Sequence, residues 1–267
     1  MEILQYLKLN KIFIISLSPY NFVVFGIGGI VVKKYILAAI ILCFVVAASG
    51  CTTQQTGSGN LINQTKSVKG VNDVSVDGTG TLIIQQGNQE SLTIQAEDNI
   101  IPHIQSNVNG KTLSLSYDTN TPIPTKTVKF FLTVKDLSSI SISGAGKVES
   151  SGFKTKNLIV SINGAGEGNM SGLNINKLTV NLSGAGKMTM AGTTTDQTIT
   201  ISGAGDYQAR DLKCQSATIT INGAGKGTLN VSNMLKAIIN GSGDISYLGN
   251  PKVSQQINGA GSVKQIT

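Results

Sequence analysis

The sequence predicts an all-β protein: a single-stranded parallel β-helix, or solenoid, with about 18–20 residues per coil, preceded by a β-rich capping segment. Three observations predict it. Seven copies of a Ser/Asn-Gly-Ala/Ser-Gly turn recur at a nearly constant interval. Between the turns, Val, Ile and Leu alternate with Ser, Thr and Asn, the period-two pattern of strands with one wet face. Helical periodicity is missing from the repeats, so the period belongs to strands.

The N-terminal fifty residues read as an address, not as fold. Val32-Lys33-Lys34-Tyr35 precedes an apolar run from Ile36 to Ala48, and Ala47-Ala48-Ser49-Gly50-Cys51 follows. A short basic region, a short apolar run and small residues at the cut are the parts of a secretory signal. The run is ~15 residues, short of the ~20 that span a bilayer. The segment ending at Cys51 resembles a lipobox, which implies that Cys51 becomes the mature N-terminus and carries lipid. A second apolar run, Ile12 to Ile30, lies upstream. Two tandem runs are odd for one signal, so residues 1–31 are read as a misassigned start. Residues 51–69, rich in Thr, Gln, Gly, Ser and Asn, read as a flexible tether.

Residues 70–136 form the β-rich front segment. Val74-Ser-Val-Asp-Gly-Thr-Gly80 is a loose copy of the repeat. Asn109-Gly110 reads as a hairpin turn between His103–Val108 and Lys111-Thr-Leu. Pro122 and Pro124 mark a loop, and Thr127–Val134 leads into the repeats. This segment is expected to cap the solenoid or to form a separate β unit.

Residues 137–267 hold the repeats. The turn glycines are Gly144 and Gly146, Gly164 and Gly166, Gly184 and Gly186, Gly203 and Gly205, Gly223 and Gly225, Gly241 and Gly243, and Gly259 and Gly261. Leucine-rich repeats share this length but need a Leu/Asn consensus, and calcium-binding nonapeptide rolls need Gly-Gly-x-Gly-x-Asp; neither is present. Strands repeat ~4.8 Å apart, so seven coils span roughly 30 Å. Glycine suits a tight corner because it accepts a positive φ and has no Cβ. Simple alternation would turn both glycines of each pair inward. A phosphate cradle is disfavoured, since no helix follows to supply an aligned N-terminus.

The residue after each second glycine carries a pattern. In order it is Lys147, Glu167, Lys187, Asp206, Lys226, Asp244 and Ser262, so the charge alternates over six coils. Stacked in register, these form an outward ion ladder worth about 0.2–1 kcal/mol per neighbouring pair, and a one-coil slip would bring like charges together. Ser143, Asn163, Ser183, Ser202, Asn222, Asn240 and Asn258 form a second column able to hydrogen-bond along the axis. Cys214 is placed in an inward slot beside Thr155, Ile175 and Thr195.

Composition argues against several functions. Residues 1–50 take four of the 21 basic and one of the 14 acidic residues, leaving 17 and 13. That weak excess, without clustered Lys/Arg and interleaved aromatics, gives nucleic-acid binding little support. Three cysteines, Cys43, Cys51 and Cys214, cannot build a disulfide framework. The single histidine, His103, excludes His-based metal sites and triads within one chain, and reads as a solvent-facing residue beside the hairpin. Asp206, Arg210 and Asp211 are the one local cluster resembling the acid and Arg sets of β-helical carbohydrate enzymes. No catalytic residue, cofactor or metal is expected.

The Ser/Asn-Gly-Ala-Gly repeats, the Val-Asp-Gly-Thr-Gly segment and the Asn-Gly-Lys-Thr-Leu hairpin together resemble the head-GIN-domain family, a family named for auto-transporter adhesins. The resemblance covers about residues 70–267. It implies a β-helical fold on an exported or lipoprotein chain, implies adhesion weakly, and carries over no catalytic residue. The resulting expectation is a non-catalytic, lipid-anchored envelope protein at the membrane or cell surface. Its partners are the membrane through lipid on Cys51 and a glycan or envelope polymer. The alternatives are a self-associating scaffold and, less favoured, a carbohydrate-active enzyme.

Overall fold

In the computed structural model, residues 55–267 are described throughout, and the N-terminal region is described for the backbone of three short strands. These are β1 (Lys8–Leu9), β2 (Ile12–Ser16) and β3 (Val23–Ile27), paired antiparallel as a unit of their own. The signal-like run 36–48 and the lipobox Cys51 lie outside the described residues.

The second unit is a parallel β-solenoid of about 6 turns. Its repeats are β11 (Ser139–Gly144), β12 (Lys147–Ser151), β13 (Lys154–Gly164), β14 (Glu167–Gly184), β15 (Lys187–Gly203), β16 (Asp206–Gly223), β17 (Lys226–Gly241), β18 (Asp244–Leu248), β19 (Lys252–Gly259) and β20 (Ser262–Gln265). Each rung pairs in parallel with the next, and every first turn glycine sits opposite its equivalent, from Gly144↔Gly164 through Gly241↔Gly259.

Burial follows the alternation and locates the corners. Leu158, Val160 and Ile162 point inward, as do Leu178, Val180 and Leu182 one rung on. The alternation breaks at the Gly-Ala-Gly turn. It breaks again near Gly152 and Gly172, both with positive φ, and a third time at paired exposed residues such as Lys156-Asn157 and Asn176-Lys177. Three breaks per coil give a three-sided cross-section around an aliphatic core.

The two glycines of each turn do different jobs, which corrects the expectation that both face inward. Gly164 is exposed, has φ +122°, and a Cβ there would lie 2.6 Å from the Gly144 carbonyl oxygen. That oxygen is in place because it accepts the Ala165 N–H at 3.0 Å, carrying the rung-to-rung ladder around the corner. Positive φ at the first glycine interrupts the alternation, so only the second glycine faces the core. Gly166 is buried, and a Cβ there would stand 2.9 Å from the Gly146 oxygen and 3.0 Å from Ile162 Cγ2.

Inside the solenoid, side-chain volumes compensate between rungs. Val148, Gly168, Met188, Tyr207, Gly227 and Ile245 occupy one inward column in register. Tyr207 is fully buried. Glycine flanks the bulky pair Met188–Tyr207 on both sides, and a Cβ at Gly168 would collide with Met188 Sδ. Tyr207 OH donates to Gln197 Oε1 at 2.8 Å, and Gln197 Nε2 donates to Cys214 Sγ at 2.8 Å, so three buried polar groups satisfy one another. Burial pushes the Cys214 thiol up to about 11. The residue beside Cys214 in its column is Thr194, not Thr195. One residue fewer lies between Met190 and Gly192 than between their partners Met170 and Leu173, so counting by a fixed period misplaces the column by one.

The front segment closes the solenoid. β5 (Asp73–Gly78) and β6 (Thr81–Gln86) form two sides of a first rung, with Val74 opposite Ile140 and Gly78 opposite Gly144. On one side β5 is covered by β9 (Thr112–Tyr117), which forms a hairpin with β8 (Ile104–Asn109) turning at Gly110, φ +61°. On the next side β6 is covered by β10 (Lys129–Val134), then antiparallel by β7 (Ser91–Glu97) and β4 (Leu61–Ser67). The switch to antiparallel pairing ends the solenoid.

β4 corrects the reading of 51–69 as a flexible tether. Seven of its residues pair with β7 in continuous register, Leu61↔Glu97 to Ser67↔Ser91. A clamp fixes the chain before it. The buried Glu97 carboxylate accepts the Gly59 N–H at 2.7 Å, the Thr125 N–H at 2.8 Å and the Thr125 hydroxyl.

Candidate functional site

The outward residues lie in columns along the sides, and register decides what each side presents. The side before the Gly-Ala-Gly corner is uncharged over most of its length. Ser141, Ser161, Asn181, Thr200 and Thr220 run in one column, beside Ser139, Ile159, Thr179, Thr198 and Thr218. The third column is Ser143, Asn163, Ser183, Ser202, Asn222, Asn240 and Asn258, begun by Asp77 of the first rung. Its last three residues form an amide ladder: Asn258 Nδ2 donates to Asn240 Oδ1 at 2.9 Å, and Asn240 Nδ2 donates to Asn222 Oδ1 at 2.8 Å. Upstream, Asn181 Nδ2 donates to Ser161 Oγ at 3.3 Å. This side therefore displays hydroxyls and amides in rows one strand spacing apart, ~4.8 Å.

The side after the corner carries the alternating charges. Thr81 of the first rung opposes Lys147, followed in register by Glu167, Lys187, Asp206, Lys226, Asp244 and Ser262. Among the described residues, ion pairs within 4.0 Å are two, His103–Asp118 and Lys147–Glu149, and neither joins neighbouring rungs. Lys147 Nζ meets Glu149, two residues along its own strand, at 2.8 Å. That hydrogen bond, with a smaller attraction from Glu167, raises the Lys147 pKa. The ends of these side chains stay hydrated, as is usual for exposed charges.

Other candidate residues are placed as follows. His103 ends the 3-10 turn Ile101–His103, half-buried, with Nδ1 3.0 Å from both Asp118 oxygens; it is an ion-pair partner, not a free solvent-facing residue. Asp206 accepts from Gln208 Nε2 at 2.8 Å, while Arg210 Nη2 donates to the main-chain oxygen of Thr267 at 2.9 Å. The cluster with Asp211 thus has its guanidinium turned to the end of the solenoid. Among the described residues, no three His, Cys, Asp or Glu gather as a metal site. Sequence reasoning missed the Glu97 clamp, since a lone Glu closing an alternating strand gives no sign of the loops that converge on it.

Fold and surface together define a class: a repeat-built β-solenoid with a capped front and polar outward columns. Residues 71–251 match the family described as "Putative auto-transporter adhesin, head GIN domain", and the chain belongs to that family. Among solved structures, it is similar to a "putative adhesin" from Bacteroides fragilis, 29% identical with a TM-score of 0.75, covering 79% of this chain and 99% of the other. It is also similar in fold to a "putative lipid binding protein" from Parabacteroides distasonis, 21% identical with a TM-score of 0.66, covering 79% and 99%. A "putative adhesin" from Parabacteroides merdae, 21% identical with a TM-score of 0.59, covers 79% and 98%. Among curated proteins, none matches this sequence.

Proposed function

We propose that the chain is a non-catalytic binding or adhesion module of the cell envelope, held to the membrane by lipid on Cys51. The hydroxyl and amide side is the observation that carries this reading. Its columns repeat at the strand spacing, are uncharged over most rungs, and are fixed in register by a packed core. Such an array matches a repeating polymer better than a single small molecule: each rung offers the same donors and acceptors again, so weak contacts add along a chain. The family and the name of the Bacteroides fragilis relative support surface adhesion. The lipobox-like Ala48-Ser49-Gly50-Cys51 supports the anchor.

The scaffold reading makes a different prediction in solution. A glycan array combined with analytical ultracentrifugation separates the two: selective polymer binding by a monomer supports the module, whereas concentration-dependent assembly without ligand overturns it. For the anchor, metabolic labelling with a fatty-acid analogue is expected to mark the protein and to be lost in Cys51→Ser. Labelling that survives the substitution rules out Cys51 as the lipid site.

A further inference from the structure

We propose that the groove at the front end of the third side, lined by Lys135, Lys154 and Lys156, binds the acidic groups of a carboxylated or sulfated polysaccharide. The proposal rests on the binding-module reading and names a ligand class and a place for it.

The groove has a volume of about 740 Å³ and lies where the link between β10 and β11 passes the start of β13. Three lysines face one carboxylate there, that of Asp136, which already accepts the Leu137 N–H at 2.9 Å. Lys135, Lys154 and Lys156 are exposed, and none is within 4.0 Å of a carboxylate among the described residues. Two other surface grooves are balanced, and a third has one of its two lysines paired. One holds Lys66 with Glu90, another Lys69 and Lys135 with Glu90 and Asp136, and a third Lys126 with Lys147, whose ammonium Glu149 takes. With the Lys147–Glu149 pair counted, the excess of cation in this groove is larger than in those three.

The floor is rigid. Gln86 Nε2 donates to the carbonyls of Lys135 and Lys154, both at 2.9 Å, and its Oε1 accepts the Lys154 N–H at 3.0 Å. One side chain thus locks together the two segments that carry the lysines, so their backbones need no reordering when a ligand arrives. The groove also runs across rungs: Lys154 opposes Asn174, and Asn157 opposes Lys177. A ligand laid along the axis would meet ammonium groups first and then the amides of Asn174 and Asn176. Amides can donate to and accept from sugar hydroxyls and ring oxygens. Every residue lining the groove is polar, so no aliphatic or aromatic side chain there is offered to an acyl chain.

The test measures binding of the intact protein to polygalacturonate, heparin, dextran, a mixed-sequence DNA duplex and phosphatidylglycerol vesicles at two salt concentrations. The acidic polysaccharides are expected to bind, more weakly at high salt, and dextran to bind at least about tenfold less well. Lys154→Gln with Lys156→Gln is expected to lose about tenfold or more of the affinity for acidic polymers, on the scale of charge-assisted hydrogen bonds. Lys111→Gln with Lys264→Gln, at the β8–β9 turn and in β20, away from the groove and from the hydroxyl side, is expected to stay within about twofold. Circular dichroism checks that both variants fold. Equal binding of dextran, or unchanged affinity in the groove variant, overturns the groove while leaving the binding module standing. Preference for DNA or vesicles overturns the polysaccharide assignment. Failure to bind any polysaccharide removes both readings.

Discussion

Replacing Gly164 by Ala tests the corner more sharply than any other single change. Two costs add. The residue has φ +122°, where an L side chain is strained by roughly 1–3 kcal/mol. A Cβ would also sit 2.6 Å from the Gly144 carbonyl oxygen, a backbone atom held by its hydrogen bond to Ala165, so relief requires one rung to move against the other. Forced overpacking of that kind costs about 1–3 kcal/mol more. The expected loss is therefore about 2–6 kcal/mol, a large share of the ~5–15 kcal/mol available to a domain. Gly152 is the control. Its φ is +74° and a Cβ there meets nothing within 4 Å, so Gly152→Ala carries only the conformational cost, about 1–2 kcal/mol. Urea unfolding followed by far-UV circular dichroism compares the two. Amide hydrogen exchange shows whether Gly164→Ala loosens the rungs on either side first, since solenoids can open in parts. Equal losses in the two variants would refute the assignment of the carbonyl contact as the reason for glycine.

Three further outcomes are expected. Tyr207→Phe leaves Gln197 Oε1 buried without its donor and is expected to cost about 1–3 kcal/mol, measured by thermal or urea unfolding; a neutral effect would show that Gln197 finds another partner. The Glu97 carboxyl is held below its usual value of 4.5, first by the Thr125 hydroxyl and further by the Gly59, Lys126 and Thr125 N–H groups, against an upward push from burial. A lowered folded-state pKa means that the clamp's contribution is complete above the unfolded value and is lost as pH falls through the folded one. Protection from hydrogen exchange, taken relative to the intrinsic rate at each pH, is thus expected to fall selectively in 55–60 and 123–126 on acidification below about pH 4.5, and Glu97→Gln to flatten that dependence. Glu167→Lys places three lysines in succession on the ladder and is expected to lower Tm more at low than at high salt, by an amount matching ~0.2–1 kcal/mol per neighbouring pair; a salt-independent drop would refute the column's electrostatic role.

Much of the architecture was legible because the glycine turn repeats almost unchanged. Its spacing identified the coils, and parity identified Leu158, Val160 and Ile162 as core. Legibility failed where a contact has no periodic signature. The parity argument turned Gly144 and Gly164 inward because it assumes negative φ throughout, and a positive φ breaks the alternation. Leu61–Ser67 read as tether because both faces of a terminal edge strand are wet, so nothing in the strand alternates. A fixed period points to Thr195 instead of Thr194 because a one-residue deletion within a coil shifts register at a place the turn-to-turn distance does not reveal. For the surface, the Ser/Asn and charge columns could be read from the turn frame alone. The lysine groove could not, since Lys135 comes from the link before the first full repeat and meets Lys154 and Lys156 only through the Gln86 clamp.

The column containing Gly168, Met188, Tyr207 and Gly227 has a consequence for how such a chain can change length. Seen from outside, the coils are near copies at every corner, and a duplicated or lost period would disturb only the alternating charges, where it would set two like charges side by side. Seen from inside, they are individuals. Removing the rung of Tyr207 would set Met188 directly against Gly227 and leave a void where the ring had been; copying it would stack two rings where only glycines now make room. The corners tolerate a change in copy number and the interior does not, so the number of coils is fixed by packing even though the turn itself is indifferent to it.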